Sequence, residues 1–274
     1  MLKTRIITAA ILLPSFLAAL LYFQPIFWAA LLLALTVTGA QEWCKLAAFS
    51  VGNAIIFMLL TALMGGELLF LLSESVTGDH YTLLFTIIYS LSFVFWVLVV
   101  PLLLRLTKPI KTPVVLMVIG WLVLLPICLA MYQLREISPM LLLGIMATVW
   151  IADTAAYFSG RAFGKHKLAA AISPGKTWEG VAGALLAVFV YALIWHQMAN
   201  DESLSDFLIP LLIVLAVLGV IGDLFESMMK RQAGLKDSGN ILPGHGGILD
   251  RIDALTSTLP VAMLTFILFY SPEL

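Results

Sequence analysis

Nine apolar runs, each close to the length that crosses a lipid bilayer, follow one another along this sequence. A helix needs about 20 apolar residues to span the hydrocarbon core. The runs cover roughly residues 6–23, 25–41, 51–73, 82–105, 113–132, 138–160, 178–198, 207–229 and 253–270. Only 11% of the 274 residues are charged, against about 25% in soluble domains. The sequence therefore predicts an all-α polytopic membrane protein with about nine transmembrane helices.

The basic residues predict how these helices are oriented, because Lys and Arg accumulate in loops on the cytoplasmic side of a membrane. With the N-terminus inside, 14 of the 15 basic residues fall on the cytoplasmic side, and Arg135 alone falls outside. A wrong number of helices would scramble this asymmetry. We therefore expect a multi-pass protein of the cell (inner) membrane, with its N-terminus in the cytoplasm and its C-terminus on the opposite side.

The distribution of polar residues divides the chain into two functional halves without a domain boundary. No internal repeat or low-complexity linker interrupts residues 1–274, which we interpret as a single membrane domain. Residues 1–140 are mainly an apolar helical scaffold. Carboxylates appear inside helices in residues 145–257, which we interpret as a catalytic half with cytoplasmic loops at 161–177 and 230–252.

Four carboxylates fall within the predicted spans: Glu67, Asp153, Asp223 and Glu226. A charge near the bilayer centre costs roughly 2.5–3.5 kcal/mol, so each of them invites a functional hypothesis. Glu67 follows two glycines in an otherwise plain segment, and we interpret it as a packing or near-interface residue. The other three lie toward the cytoplasmic ends of their helices, where an aqueous cavity could hydrate them.

Helical spacing groups polar residues on two neighbouring helices. On the eighth helix, four of them share one face at i, i+3, i+4 and i+7: Asp223, Glu226, Ser227 and Lys230. At the start of the ninth, three repeat the pattern at i, i+3 and i+7: Asp250, Asp253 and Ser257. Such hard oxygen ligands suit Mg²⁺, which binds one or two carboxylates together with substrate phosphates. Ordinary carboxylates that favour a helix N-terminus are the alternative for Asp250 and Asp253.

The segment between these two helices has the composition of an anion-binding loop. Lys230, Arg231 and Lys236 could neutralise phosphates, and the glycines after Pro243 let backbone N–H groups approach an anion closely. The basic residues also obey the positive-inside rule, so their position alone does not decide between the two interpretations. His245 has no second ligand at zinc spacing, and we expect it to bond a phosphate or a carboxylate.

A second polar loop, Ser-Pro-Gly-Lys-Thr-Trp-Glu-Gly at residues 173–180, leads into the seventh helix. Its Gly-Lys-Thr triplet is not a P-loop, since the first glycine of that motif is replaced by Ala170 and no strand-to-helix turn is expected. We expect a phosphate-binding loop in which Ser173 or Thr177 caps the helix and Lys176 contacts substrate.

Residues 227–253 resemble the signature of the phosphatidate cytidylyltransferase (CDP-diglyceride synthase) family. The matching pattern is Ser-x-Met-Lys-Arg-x4-Lys-Asp-x-Gly-x2-Leu-Pro-x-His-Gly-Gly-Ile-x-Asp-Arg-Ile-Asp, and this segment agrees with it at every position that it specifies. The segment Asp-Thr-x2-Tyr-x2-Gly-Arg-x-Phe-Gly-Lys at residues 153–165 and the loop at 173–180 are also similar to that family. The resemblance covers residues 145–257 strongly and the first half only in general character.

The resemblance implies that CTP and phosphatidic acid react to give CDP-diacylglycerol and pyrophosphate. It also implies Mg²⁺, a monovalent cation such as K⁺ beside it, membrane lipids as surroundings, a homodimer, and no nucleic-acid partner. Carried over to this chain, it makes Asp223 and Asp250 metal ligands, with Asp253, Glu226 and Asp153 ligating or supporting. The remaining catalytic residues we expect are Lys230, Arg231, Lys236, His245 and Arg251. The remaining substrate contacts we expect are Asp153, Ser173, Lys176, Thr177, Ser227, Asp237, Gly246 and Gly247.

Two alternatives stay open at this point. A related transferase could use another lipid phosphate, such as an archaeol or polyprenyl derivative. An ion-coupled secondary transporter would also place carboxylates in its helices, although transporters often show paired halves with broken helices. The CDP-alcohol phosphotransferases are disfavoured, because their Asp-Gly-x2-Ala-Arg opening is absent here.

Overall fold

A computed structural model describes residues 2–74, 82–106, 108–198, 202–244 and 246–269. Nine helices make up almost all of this part of the chain. They are α1 (Leu2–Tyr22), α2 (Pro25–Leu46), α3 (Val51–Glu74), α4 (Thr82–Leu106), α5 (Pro113–Ile137), α6 (Pro139–Phe163), α7 (Trp178–Met198), α8 (Glu202–Gln232) and α9 (Leu249–Phe269). Eight are long and apolar enough to cross a membrane, and a shorter apolar stretch in α1 covers Ile6–Tyr22. The predicted polytopic all-α class is confirmed, and each predicted run has its helix.

Helix boundaries differ from the apolar runs mainly at the ends that bear polar residues. The run predicted at 25–41 continues to Leu46, and α8 extends through Lys230 to Gln232. The predicted loops 161–177 and 230–252 are consequently too long, since α6 ends at Phe163 and α9 begins at Leu249. Hydropathy fails here because helical hydrogen bonding continues beyond the last apolar residue.

A short β-hairpin interrupts the helices between α6 and α7. Strand β1 (Lys167–Ala169) pairs antiparallel with β2 (Ser173–Thr177) between α6 and α7. At its base the His166 backbone N–H donates to the Glu179 carboxylate, and His166 Nδ1 lies 2.6 Å from Glu179 Oε1. Thr177 Oγ1 accepts from the Gly180 N–H at 3.1 Å, so the predicted cap at the start of α7 is confirmed for Thr177.

The most deeply packed helices are α5 and α9, each with two thirds of its span buried inside the protein. α9 packs against α5 and α8, and α7 lies between α6 and α8. In α4 a π-helical turn at Phe95–Val99 presents Phe95 and Trp96 to Phe225 of α8, with ring centroids 5.7 and 5.5 Å apart. This aromatic contact fixes the segment of α8 that carries the polar face.

Arg135, the basic residue outside the predicted asymmetry, has a structural role. It is 8% exposed near the end of α5 and donates from Nε to the Leu20 carbonyl at 2.7 Å and from Nη2 to the Phe23 carbonyl. Its guanidinium lies 5.3 Å from the ring centroid of Trp28. Arg135 therefore satisfies carbonyls at the turn between α1 and α2, which explains a buried cation at that end of the bundle.

Candidate active site

The polar residues predicted on α8 lie on one helical face, as their spacing requires. Ser227 Oγ donates to Asp223 Oδ1 at 3.3 Å, and Lys230 Nζ donates to Glu226 Oε2 at 2.9 Å. Both pairs are four residues apart. Along a helix that rises 1.5 Å per residue, this face extends about 10 Å from Asp223 to Lys230. Its two ends belong to two different polar clusters.

The first cluster lines a cavity of about 440 Å³ between α6, α7, α8 and the hairpin, which we call the polar pocket. It gathers five of the predicted site residues: Asp153, Ser173, Lys176, Thr177 and Asp223. Lys176 Nζ lies 2.5 Å from Asp223 Oδ2, so the hairpin is tied directly to α8. Arg161 also lines the pocket, and its guanidinium donates to the Tyr157 hydroxyl at 3.2 Å. The volume is within the usual range for a small-molecule site, roughly 300–1,000 Å³.

The second cluster, which we call the loop anchor, consists of Glu42, Lys230, Ser238 and Asp250. Lys230 Nζ donates to Asp250 Oδ1 at 2.7 Å. The other Asp250 oxygen accepts from the Ser238 N–H, the Ser238 hydroxyl and the Gly247 N–H at 2.8–3.0 Å. Both carboxylate oxygens of Asp250 are therefore occupied by protein donors. This residue folds the loop between α8 and α9, in addition to any role toward substrate.

Glu42 is the functional residue that sequence reasoning missed. Its side chain is fully buried and accepts from the N–H groups of Ile248 and Leu249 at 3.0 and 2.9 Å, and from the Ser238 hydroxyl at 2.9 Å. It therefore caps the N-terminus of α9 from α2. A Cβ at Gly247 would collide with this carboxylate, so only glycine fits at that position.

Glu42 escaped notice because its apolar run appeared to end at residue 41, which made it a loop residue. The available signal was the continuation Trp43-Cys44-Lys45-Leu46, since extending the helix through these residues places Glu42 inside it. Both cysteines of the chain, Cys44 and Cys128, are free and buried.

Glu226 and Asp253 connect the two clusters. Asp253 lies within electrostatic range of Asp223, Glu226 and Asp153. Glu226 is 6% exposed, and its Oε1 has no hydrogen-bond partner among the described residues. A buried carboxylate oxygen without a partner is costly, so this atom marks a point where a cation or donor belongs. In the described parts of the chain, no three His, Cys, Asp or Glu side chains lie close enough together to hold a metal ion by themselves.

The remaining predicted residues lie at the exposed surface of the same end of the bundle. Arg231, Lys236, Asp237 and Arg251 are exposed, and Arg231 donates to the Leu235 carbonyl at 3.3 Å. Gly246 adopts φ +84°, a left-handed conformation that favours glycine, and its carbonyl accepts from the Leu242 N–H. His245, a further predicted site residue, lies outside the described residues.

Ser257 differs from its expected place in the site. Its hydroxyl donates to the Leu218 carbonyl at 2.8 Å and is buried between α8 and α9. A Cβ at Gly222 would meet both this hydroxyl and the Asp253 carbonyl. Ser257 therefore joins the two helices at close approach, and the polar face of α9 ends at Asp253.

A family model for the cytidylyltransferase family matches residues 3–269. The chain belongs to this family. It is therefore a nucleotidyltransferase, and the transporter alternative is excluded. A protein named phosphatidate cytidylyltransferase from Haemophilus influenzae is 37% identical over 95% of this chain and 96% of its own length. One of the same name from Pseudomonas aeruginosa is 38% identical over 95% of each chain. A Bacillus subtilis protein of that name is 45% identical over 44% of this chain and 45% of its own.

Proposed function

We propose that this cytidylyltransferase transfers the cytidylyl group of CTP to phosphatidic acid, giving CDP-diacylglycerol and pyrophosphate. The observation that carries the proposal is the polar pocket at the end of a membrane bundle, in a chain whose relatives over 95% of its length are named phosphatidate cytidylyltransferase. A site at the ends of membrane helices suits a reaction between a lipid headgroup and a nucleotide from solution.

The reaction needs positioning and charge neutralisation more than a strong base. A phosphate oxygen of phosphatidate attacks the α-phosphorus of CTP, and the bond from that phosphorus to the β-phosphate oxygen breaks as pyrophosphate leaves. The nucleophile is already ionised at neutral pH. Catalysis then rests on alignment and on stabilising the charge of the transition state. Lys176 and Arg161 in the polar pocket are placed to bind phosphate oxygens.

The carboxylates of the site fit a divalent cation. Asp223, Glu226 and Asp253 offer hard oxygen ligands of the kind that Mg²⁺ binds, and the unpartnered Glu226 Oε1 is the atom that most needs one. Bound Mg²⁺ would polarise the α-phosphate and offset the charge of the leaving pyrophosphate. Asp250 stays a predicted ligand as well. Lys230 pairs with Asp250 and Glu226, and Lys176 pairs with Asp223, so a bound metal would compete with these two lysines. K⁺ beside Mg²⁺ rests on the family resemblance alone.

The surroundings of the enzyme follow from the same proposal. We expect the inner membrane of a bacterium, with the hairpin and the loop anchor facing the cytoplasm, where CTP is available. The basic residues of these loops support that orientation. A homodimer stays a prediction, which light scattering of the detergent-solubilised protein would test.

The deciding experiment follows radiolabelled CTP into lipid with the purified protein. We expect label in CDP-lipid with phosphatidate, none when Mg²⁺ is omitted, and recovery when it is restored. Asp223→Asn should abolish the product, while Glu67→Gln should retain it, because Glu67 is exposed on α3 and bonds no described residue. Success only with another lipid phosphate would select the alternative acceptor. Full turnover of Asp223→Asn would overturn the metal assignment.

A further inference from the structure

A second cavity, on the other side of α9 from the polar pocket, differs from it in chemistry. It has a volume of about 430 Å³ and lies between α1, α2, α5, α6 and the start of α9. Its lining is almost entirely aliphatic and aromatic, with residues such as Leu12, Phe16, Leu35 and Trp150. We call it the apolar cavity. Protein interiors are normally close-packed, so a cavity of this size with an apolar lining indicates a ligand with hydrocarbon character.

The first two turns of α9 separate the apolar cavity from the nucleotide chemistry. Asp250 and Asp253, three residues apart, point to the loop anchor and the α8 carboxylates. Arg251, Ile252 and Leu255 line the apolar cavity instead. One helix end thus presents ionic groups on one face and a hydrocarbon surface on the other, with a single cation at the boundary.

That cation is free to bind an anion. Arg251 is exposed, and its guanidinium makes no ion pair or hydrogen bond with the described residues. Lys176 and Lys230, by contrast, are already paired with carboxylates. Arginine binds phosphate well because its planar fork of donors matches the phosphate oxygens. An unpaired arginine beside an apolar cavity is complementary to a phosphate ester attached to an acyl chain.

The wall of the cavity on the α1 side is attached to the signature loop. Thr8 Oγ1 donates to the Pro243 carbonyl at 3.0 Å, and Leu242 and Ile248 of the same loop line the cavity. The outer face of α1 is exposed, so it borders lipid in a membrane. A lipid chain that enters beside α1 therefore meets the loop that leads to Asp250.

We propose that the apolar cavity binds an acyl chain of the phosphatidate acceptor while Arg251 binds its phosphate. This inference rests on the proposed function and adds where the acceptor lies. It predicts that chain recognition can be separated from nucleotide chemistry, because the apolar cavity and the polar pocket share no lining residue.

The experiment fills the cavity from α1. Ala9 lines it, whereas its neighbour Ala10 does not, and both are exposed. Ala9→Trp is the test and Ala10→Trp the matched control. Steady-state rates are measured with dioleoyl phosphatidate in mixed micelles, with dihexanoyl phosphatidate, and with varied CTP. An acyl chain kept out of an apolar site loses the free energy of leaving water, so the test variant should raise the KM for the long-chain lipid at least tenfold.

The KM for CTP and the turnover of the short-chain lipid should be unchanged in Ala9→Trp, which also shows that the variant is folded. If that variant loses all activity, Leu35→Trp fills the same cavity from α2 and must show the same selective effect. An unaltered KM for dioleoyl phosphatidate in a folded, cavity-filled variant overturns the inference. Failure of the wild-type protein to use phosphatidate at all counts against the proposed function instead.

Discussion

Glu42 shows how far apart in sequence the parts of this site lie. Its carboxylate, on α2, accepts from backbone N–H groups that are 206 and 207 residues away, at the start of α9. It also shares the Ser238 hydroxyl with Asp250. That hydroxyl has one proton for two carboxylates, so it can donate to only one of them at a time. The position of the signature loop thus depends on a residue from the apolar half of the chain.

Replacing Glu42 with Ala should destabilise the loop and stop turnover. It leaves the N–H groups of Ile248 and Leu249 without their acceptor, and hydrogen bonds to charged groups each contribute about 1.5–3 kcal/mol. We expect a lower Tm in detergent, measured by tryptophan fluorescence, and loss of CDP-lipid synthesis. Glu67→Ala is the control, since it removes an exposed carboxylate from α3. Equal shifts in Tm for the two variants would contradict the role of Glu42.

Lys230→Met should be at least as damaging. Its side chain is 12% exposed and pairs with both Glu226 and Asp250. Removing one partner from a buried ionic cluster costs roughly 3–5 kcal/mol, because the remaining charges stay buried and unpaired. Thermal unfolding would measure the loss. Adding Glu226→Gln should restore part of the stability, and strictly additive losses in the double variant would argue against the pairing.

For single residues, contacts that follow helical spacing could be predicted from the sequence. Asp223 with Ser227, and Glu226 with Lys230, are i,i+4 pairs, and their contacts could be predicted from the sequence alone. The partners of Asp250 could not, because two of them are backbone N–H groups whose positions exist only once the loop has folded. The role of Glu42 could not be predicted without knowing that α2 continues beyond its apolar run to Leu46.

The hairpin is the element that joins α6, α7 and α8 around the polar pocket. His166 and Glu179 close its base, and Lys176 reaches from β2 to Asp223. Its two strands have only three and five residues, too few for a stable hairpin of their own. The contacts of Glu179 with His166 and of Lys176 with Asp223 therefore determine where the hairpin lies.

Loosening the hairpin should weaken nucleotide binding more than chemistry. Glu179→Gln removes the carboxylate that accepts from the His166 backbone N–H and contacts its ring at the base of the hairpin. We expect the KM for CTP to rise roughly two- to fivefold, with kcat nearly unchanged. Lys108→Gln, in the loop before α5, serves as a charge-changing control. A fall in kcat at constant KM would show that Glu179 acts in the chemical step instead.

The helices were predictable as elements, but the hairpin and the π-helical turn were not. Periodicity and length define an apolar helix of about 20 residues. A strand of three residues gives no period, and Ser-Pro-Gly-Lys-Thr resembles any polar loop. The π turn at Phe95–Val99 depends on tertiary packing around Phe225, which no local pattern reports.

Considered as a whole, the described part of the molecule gathers its polar clusters at one end. The hairpin, the loop anchor and the polar pocket all lie where α6, α7, α8 and α9 begin or end. Arg135 marks the opposite end and is held by carbonyls. The positive-inside rule treats it as an exception, whereas its burial shows that packing decides its place.

Cysteine labelling would test the orientation of this end. In a Cys44→Ala, Cys128→Ala background, Gly175→Cys places a thiol on the hairpin, where a side chain meets no neighbouring atom. Glu136→Cys places one at the other end of α5. A membrane-impermeant maleimide added to intact spheroplasts should label Glu136→Cys and spare Gly175→Cys until the membrane is opened. The reverse pattern would place the active end outside the cytoplasm.

Lys230 bears on the stability of the protein when no metal is bound. Because its ammonium already pairs with both Glu226 and Asp250, these carboxylates have a shared counter-ion in the folded chain, and folding need not wait for Mg²⁺. Chelation should then stop catalysis without melting the protein, unlike a zinc finger, whose fold is lost with its metal. Scanning calorimetry in EDTA should show a Tm within a few degrees of the Mg²⁺ sample, and collapse of the transition would contradict this. On this prediction Mg²⁺ would exchange with each turnover and bind together with the nucleotide, while Lys230 would pair with the carboxylates when the metal is absent.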